Sequence, residues 1–211
     1  LLWEPNEYIN IMVYPFTDSQ ILGISTFPYS LKDFFLEGTQ QVSASWITLE
    51  NLSFPYCISI NSSYIYEQST DERINQNDAA ITLAHELGHY LGLRHVFSEG
   101  GTTSMCTDTD YCKDTPSYNR SEYEQWLNNL DKQNNYQLKD LAKRYSCEKG
   151  EYEAHNIMDY AYCFYNEITL EQRKRIRHIL NYSPLIPGPK ESRIDTRGVQ
   201  GRLNLPICIM K

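Results

Sequence analysis

Eleven consecutive residues, His85-Glu86-Leu87-Gly88-His89-Tyr90-Leu91-Gly92-Leu93-Arg94-His95, hold the residue types of a metal site with a base beside it. Three imidazoles make the ligand set of a catalytic zinc, which keeps its fourth position for water. On a helix, His85 and His89 are four apart, project from one face and can meet one ion. His95 lies on the wrong face of any helix that continues, so it completes the set only if the helix breaks. Gly92 supplies the break, because glycine enters the left-handed conformation cheaply. Glu86 follows His85 and is rotated to one side, near the ion without pointing straight at it. That placement suits a base acting on a zinc-polarised water, whose pKa comes down to about 7. Attack on a peptide carbonyl, an oxyanion held by zinc and a proton returned to the leaving amine by Glu86 would complete hydrolysis. Two blander readings stand beside this one. One is an ordinary helix with two surface histidines and a stray third. The other is a non-catalytic zinc site, which has no use for Glu86.

The elements that must position these groups are legible around them. Asn77 or Asp78 caps a helix running from Ala79 to Leu91, with Ala80, Leu83, Leu87 and Leu91 on one apolar face. Gly88 costs about 1 kcal/mol against Ala inside a helix, which implies close packing there. Residues 8–16, 42–49 and 56–60 read as strands, and residues 20–30 as an irregular connection. Residues 30–37 read as one short helix capped by Ser30. Residues 98–121 form a long loop, and residues 121–145 look helical with a break at Asn134-Asn135. A strong helix spans 169–182, with Thr169 and Gln172 spaced as a capping box. Prolines end it, and the tail closes on an apolar run around Pro206 and Cys208.

Composition narrows the class. The chain has 211 residues, 41% of them hydrophobic, enough to build a sizeable core in one domain. The formal charge of −8 argues against a nucleic-acid partner, which needs a basic face. The one basic cluster, Arg173, Lys174, Arg175 and Arg177, reads as a solvated helix face. No apolar run is long enough to span a membrane, and the opening Leu1-Leu2-Trp3-Glu4 has no export-signal pattern. Six cysteines, an even number without paired C-x-x-C spacing, suggest disulfides and an oxidising compartment. The alternative is six buried thiols. Fifteen connectivities are open, and the sequence does not choose among them. Asn51, Asn61, Asn119 and Asn181 each begin a glycosylation triplet.

The extended histidine motif resembles that of the metzincin metallopeptidases, which also carry a methionine turn downstream. Asn156-Ile157-Met158-Asp159-Tyr160 matches that turn. In the family the methionine forms an apolar floor beneath the histidines, so the resemblance gives Met158 this role. A tyrosine two residues later can approach the zinc or the tetrahedral intermediate in several branches, so Tyr160 is expected to stabilise the oxyanion. The closest resemblance is to the pappalysins. It rests on Asn10-Ile11, Leu22-Gly23, Thr26-Phe27-Pro28, Leu91-Gly92-Leu93, His95-Val96-Phe97 and Asp114-Thr115-Pro116. Cys163 after the turn, Ile168-Thr169 and Gln172-Arg173 continue it.

The resemblance implies an α+β fold of metzincin (zincin) type. A twisted sheet and the active-site helix would form an upper part, about residues 1–92. An irregular helical lower part with the methionine turn would span about 93–211. It implies a secreted or cell-surface zinc endopeptidase acting on protein or peptide substrates, with disulfides in the lower part and calcium in some members. Cys106, Cys112, Cys147 and Cys163 would then pair among themselves, leaving Cys57 with Cys208. Asp108, Asp110 and Asp114 offer the oxygen ligands calcium takes, or else form an acidic solvated loop. Two features depart from the family. No backing helix is evident before Tyr8, so either the chain is a fragment lacking an N-terminal part or residues 30–46 replace that helix. Tyr162 stands where some pappalysins carry an acidic residue that reads a basic substrate side chain, so that preference does not transfer. His155 and His178 read as an ordinary loop histidine and a helix-end histidine. The rival functions are a zinc-bearing binding module that does not cut, and a hydrolase of non-peptide amides.

Overall fold

The computed structural model describes residues 2–43, 55–98, 109–146, 148, 150–188, 190 and 207–210. Its largest sheet has four strands in the order β1 (Ile11–Tyr14), β5 (Ile58–Asn61), β2 (Gly23–Thr26) and β8 (Ile207–Met210). β1 runs parallel to β5, while β2 is antiparallel to both β5 and β8. β5 is buried on both faces, as its apolar-rich sequence requires at the sheet centre. β3 (Tyr29–Leu31) pairs with β4 (Gln40–Val42), and β6 (Lys143–Ser146) with β7 (Gly150–Glu153). The described α-helices are α1 (Ala79–Tyr90), α2 (Arg120–Asn128), α3 (Leu138–Leu141) and α4 (Leu170–Tyr182), with short 3₁₀ segments between elements. The fold is α+β.

α1 lies across β2, β5 and β8. Its Leu83, Leu87 and Leu91 pack on a core of Tyr29, Tyr56, Ile58, Ile60, Tyr90, Ile179 and Ile186. Ala80, expected on that apolar face, is exposed. The more deeply buried face of α1 is polar, holding Thr82, His85, Glu86 and His89. Asp78 is the N-cap residue, but its carboxylate accepts from the Ser69 N–H rather than from the helix.

Several expectations change in three dimensions. Residues 20–30 are not irregular: they contain β2 and β3, and β2 holds two neighbours at once. The short helix expected over 30–37 contracts to a single 3₁₀ turn, Lys32–Phe34, because Ser30 belongs to β3. The helical reading of 121–145 survives as α2 and the one-turn α3. Residues 143–146 instead pair as β6, where Arg144 is fully buried. α4 matches its predicted span, with both arms of the Thr169–Gln172 capping box formed. Its basic cluster is solvated at Arg173, Lys174 and Arg177, but Arg175 is buried and donates to the carbonyls of Gly92 and Glu37. Asn61 is fully buried and donates to the Ile21 carbonyl, so the folded chain offers no glycan site there. Asn51 lies outside the described residues.

The pairing of Cys57 with Cys208 is corrected. No disulfide joins them. Cys57 directly precedes β5, Cys208 lies in β8, and β2 runs between them. Two strand spacings, roughly 9.5 Å, exceed the Cα separation of about 7 Å that a disulfide tolerates. Cys112 and Cys163 are also free and buried, so the pairings expected of them are absent too. Cys106 and Cys147 lie outside the described residues.

Candidate active site

α1 ends as the motif requires. Gly92 has φ +88, its N–H bonds the His89 carbonyl, and the Leu93 N–H bonds the Gly88 carbonyl. These two bonds form a Schellman motif. The chain then turns back, and His95 joins the two helical histidines. The Nε2 atoms of His85, His89 and His95 lie 3.0 to 3.2 Å from one another. They are the group among the described residues suited to holding a metal ion.

The protonation pattern follows from the outer nitrogens. His85 Nδ1 is 2.8 Å from the Ile157 carbonyl and His89 Nδ1 is 2.8 Å from the Leu93 carbonyl. A carbonyl only accepts, so in both rings Nδ1 carries the hydrogen and Nε2 presents a lone pair inward. Burial pushes His85 down to about 4, opposed by the Ile157 carbonyl, and also depresses His89 and His95. Neutral rings whose lone pairs converge repel one another unless a cation lies between them. The donor set, its spacing and the carbonyls that orient His85 and His89 therefore fit zinc.

Glu86 is fully buried one residue along from His85. β2 passes directly over it: a Cβ built at Gly23 would lie 2.6 Å from Glu86 Cγ and 2.9 Å from Oε1. Beneath α1 sits Met158, fully buried with Leu93 and Val96. A Cβ at Gly88 would overlap its sulfur, which explains the helix-weakening glycine. The turn is held by the Asn156 side chain, which accepts from the Met158 N–H, and by Gln172 of α4, which exchanges hydrogen bonds with Asn156.

Tyr160 reaches the histidines, its ring 4.6 Å from that of His95 and 5.6 Å from that of His85. Phe97 stacks on His95 at 4.7 Å, and the Arg120 guanidinium lies 4.4 Å over the Tyr160 ring. Below this layer Asp159 and Arg144 form a buried ion pair at 3.5 Å. The Tyr118 hydroxyl donates to Asp159 at 2.5 Å, and Arg144 donates to the carbonyls of Tyr160, Ala161 and Tyr162. Burial raises the Asp159 carboxyl, against the pull of Arg144 and Tyr118.

Some predicted residues lie elsewhere or have other work. Asp110 accepts from the Cys112 N–H and the Thr115 hydroxyl, and Asp114 accepts from the Thr169 hydroxyl and the Glu171 N–H. Asp114 thereby ties its loop to the start of α4, while Asp108 lies outside the described residues. His155 meets Asn166, and His178 meets the Phe34 carbonyl. Tyr162 adopts a left-handed backbone, φ 52, and its N–H donates to Gln76. It lines a cavity of about 460 Å³ with Asp71, Arg73, Asp131 and Tyr136. Residues without a role in the sequence reading also contribute: Gly23, the Ile157 carbonyl, Phe97, Arg120 and the Arg144–Asp159 pair. Gly23, Phe97, Ile157 and Asp159 were visible only as members of short family words, with no role attached, and Arg120 and Arg144 left no local pattern.

Comparison with known proteins agrees with this geometry. The profile of the M43 peptidases, described as pregnancy-associated plasma protein-A, matches residues 38–181. An extracellular metalloprotease of Arthroderma otae is 32% identical over 171 residues, covering 80% of this chain and 49% of that protein. One from Arthroderma benhamiae is 36% identical over 108 residues, covering 50% of this chain and 32% of that protein. The chain thus spans half or less of these relatives. Mature mirolysin of Tannerella forsythia, solved with a cleaved peptide, aligns at a TM-score of 0.46 and 23% identity, covering 83% of this chain and 53% of that one. With the profile matched over most of its length, the chain belongs to the M43 family of metallopeptidases, the pappalysins.

Proposed function

We propose that the protein is an extracellular zinc-dependent endopeptidase. His85, His89 and His95 hold the metal, Glu86 is the general base, Tyr160 assists at the oxyanion, and Met158 is the apolar floor. The observation that carries this reading is the convergence of three neutral imidazole nitrogens next to a buried carboxylate. Zinc bound by the three histidines supplies Lewis acidity toward water and the scissile carbonyl.

The chain's own groups do the rest. The carbonyls of Ile157 and Leu93 fix the tautomers of His85 and His89, so neither of these ligands must rotate or lose a proton. Buried Glu86 takes a proton from the attacking water and passes it to the leaving amine. The low dielectric around its carboxylate strengthens that exchange. The Tyr160 ring is fixed between His95, Phe97 and Arg120, and its hydroxyl would stabilise the developing negative charge. The extracellular setting follows the description of the relatives, and no described helix is long and apolar enough to cross a membrane. Calcium, which the family resemblance implies for some members, would draw on the carboxylates of Asp108, Asp110 and Asp114. A basic side-chain preference is not assigned, because Tyr162 replaces the acidic residue that would read it.

Profiling on a broad peptide library, with and without a chelator, tests the proposal. Cleavage that stops on chelation, returns with zinc and is lost in Glu86→Ala is expected. Cleavage unaffected by either perturbation refutes it.

A further inference from the structure

The outer edge of β2 is closed by β8. Gly23 is in register with Met210, Ile24 with Ile209, Ser25 with Cys208 and Thr26 with Ile207. On the other side, the Thr26 N–H and the Leu22 carbonyl bond to residues at β5. Ladder alternation therefore turns the backbone groups of Gly23 and Ser25 toward β8. Gly23 is also the residue lying on the Glu86 side chain. A strand on this edge thus runs past the base, and β8 touches α1 as well as β2. An extended peptide that adds to the sheet to reach Glu86 needs the same backbone groups.

We propose that Ile207–Met210 is an internal competitor of the substrate, a strand that must leave β2 before an extended peptide can dock there. The proposal rests on the peptidase reading above. With the strand docked, the pairings of Gly23 and Ser25 are taken. With it released, a substrate takes over those pairings in the same antiparallel sense. A four-residue edge strand is short enough to open locally while the rest of the fold stays intact.

The test compares the 211-residue chain with Cys208→Pro, Ile209→Pro, Cys208→Ser and a chain ending at Pro187, measuring peptide cleavage and amide hydrogen exchange. Proline at 208 removes the N–H that faces Ser25. Proline at 209 removes one that faces away from β2, which an edge strand tolerates. A strand docked about nine-tenths of the time raises the apparent KM about tenfold. Cys208→Pro and the shortened chain should therefore show a KM about tenfold lower, with kcat unchanged. Their Gly23 and Ser25 amides should lose exchange protection, while Ile209→Pro and Cys208→Ser behave like the parent. A synthetic peptide of residues 205–211 should inhibit the shortened chain competitively. Cleavage with the same KM in the parent and in Cys208→Pro overturns the proposal, whatever the shortened chain does. Absence of cleavage in every variant, with the exchange difference still present, instead refutes the peptidase reading.

Discussion

Gly23→Ala is the sharpest probe of how the site is built, because it adds one methyl far from the motif in sequence. The new Cβ would stand 2.6 Å from Glu86 Cγ, so the gap must open by about 0.8 Å to reach the 3.4 Å at which ordinary contact begins. β2 cannot easily yield, since β5 pairs with it along Gly23, Ile24 and Ser25. α1 is equally pinned, by the core under its leucines and by Met158 under Gly88. The Glu86 side chain is therefore the part that moves. A displacement of about 1 Å at a catalytic group costs on the order of 100-fold in rate, or about 2.7 kcal/mol of barrier. The expected result is kcat/KM for a library-derived peptide lowered about 100-fold, with one zinc still bound and the melting temperature near that of the parent. Zinc content by mass spectrometry and a thermal melt accompany the kinetics, with Ile24→Ala as the neighbouring control. Full activity in Gly23→Ala would refute the close approach. Activity lost in proportion to zinc or fold would show the glycine serving the framework rather than the base.

Three further perturbations follow from the same geometry. Gly88→Ala pushes a methyl into the Met158 sulfur and should destabilise the protein by about 1–3 kcal/mol despite its better helix propensity; a urea melt showing stabilisation would contradict the packing. Asp159→Ala leaves the buried Arg144 charge without its carboxylate and should cost about 3–5 kcal/mol, whereas a loss below about 1 kcal/mol would mean the pair is not buried as described. In the chelated protein, His85 has a folded pKa of about 4, below its usual 6.5, so the unfolded chain binds more protons between those values. Stability in that form is therefore complete above about pH 6.5 and falls as the pH drops toward 4, by on the order of 3 kcal/mol from this residue. Melting temperatures that stay level from pH 7 to 5 would refute it.

The sequence by itself determined the ligands, the base and the turn between them. Those relations are local: helix periodicity sets His85 beside His89, and a left-handed glycine at 92 carries His95 back through bonds spanning five residues or fewer. The capping box of α4 was equally legible, since Thr169 and Gln172 satisfy each other. Tertiary structure decided what the ligands rest on and what lies over the base. The Ile157 carbonyl reaches His85 across 72 residues, and Gly23 meets Glu86 only because the sheet brings β2 against α1. It also separated Cys57 from Cys208 by a whole strand, and buried Arg175 in a helix that reads as solvated. It turned residues 143–146 from helix to strand around a buried guanidinium. Each of these depends on which distant backbone arrives alongside, and no short-range spacing encodes that arrival.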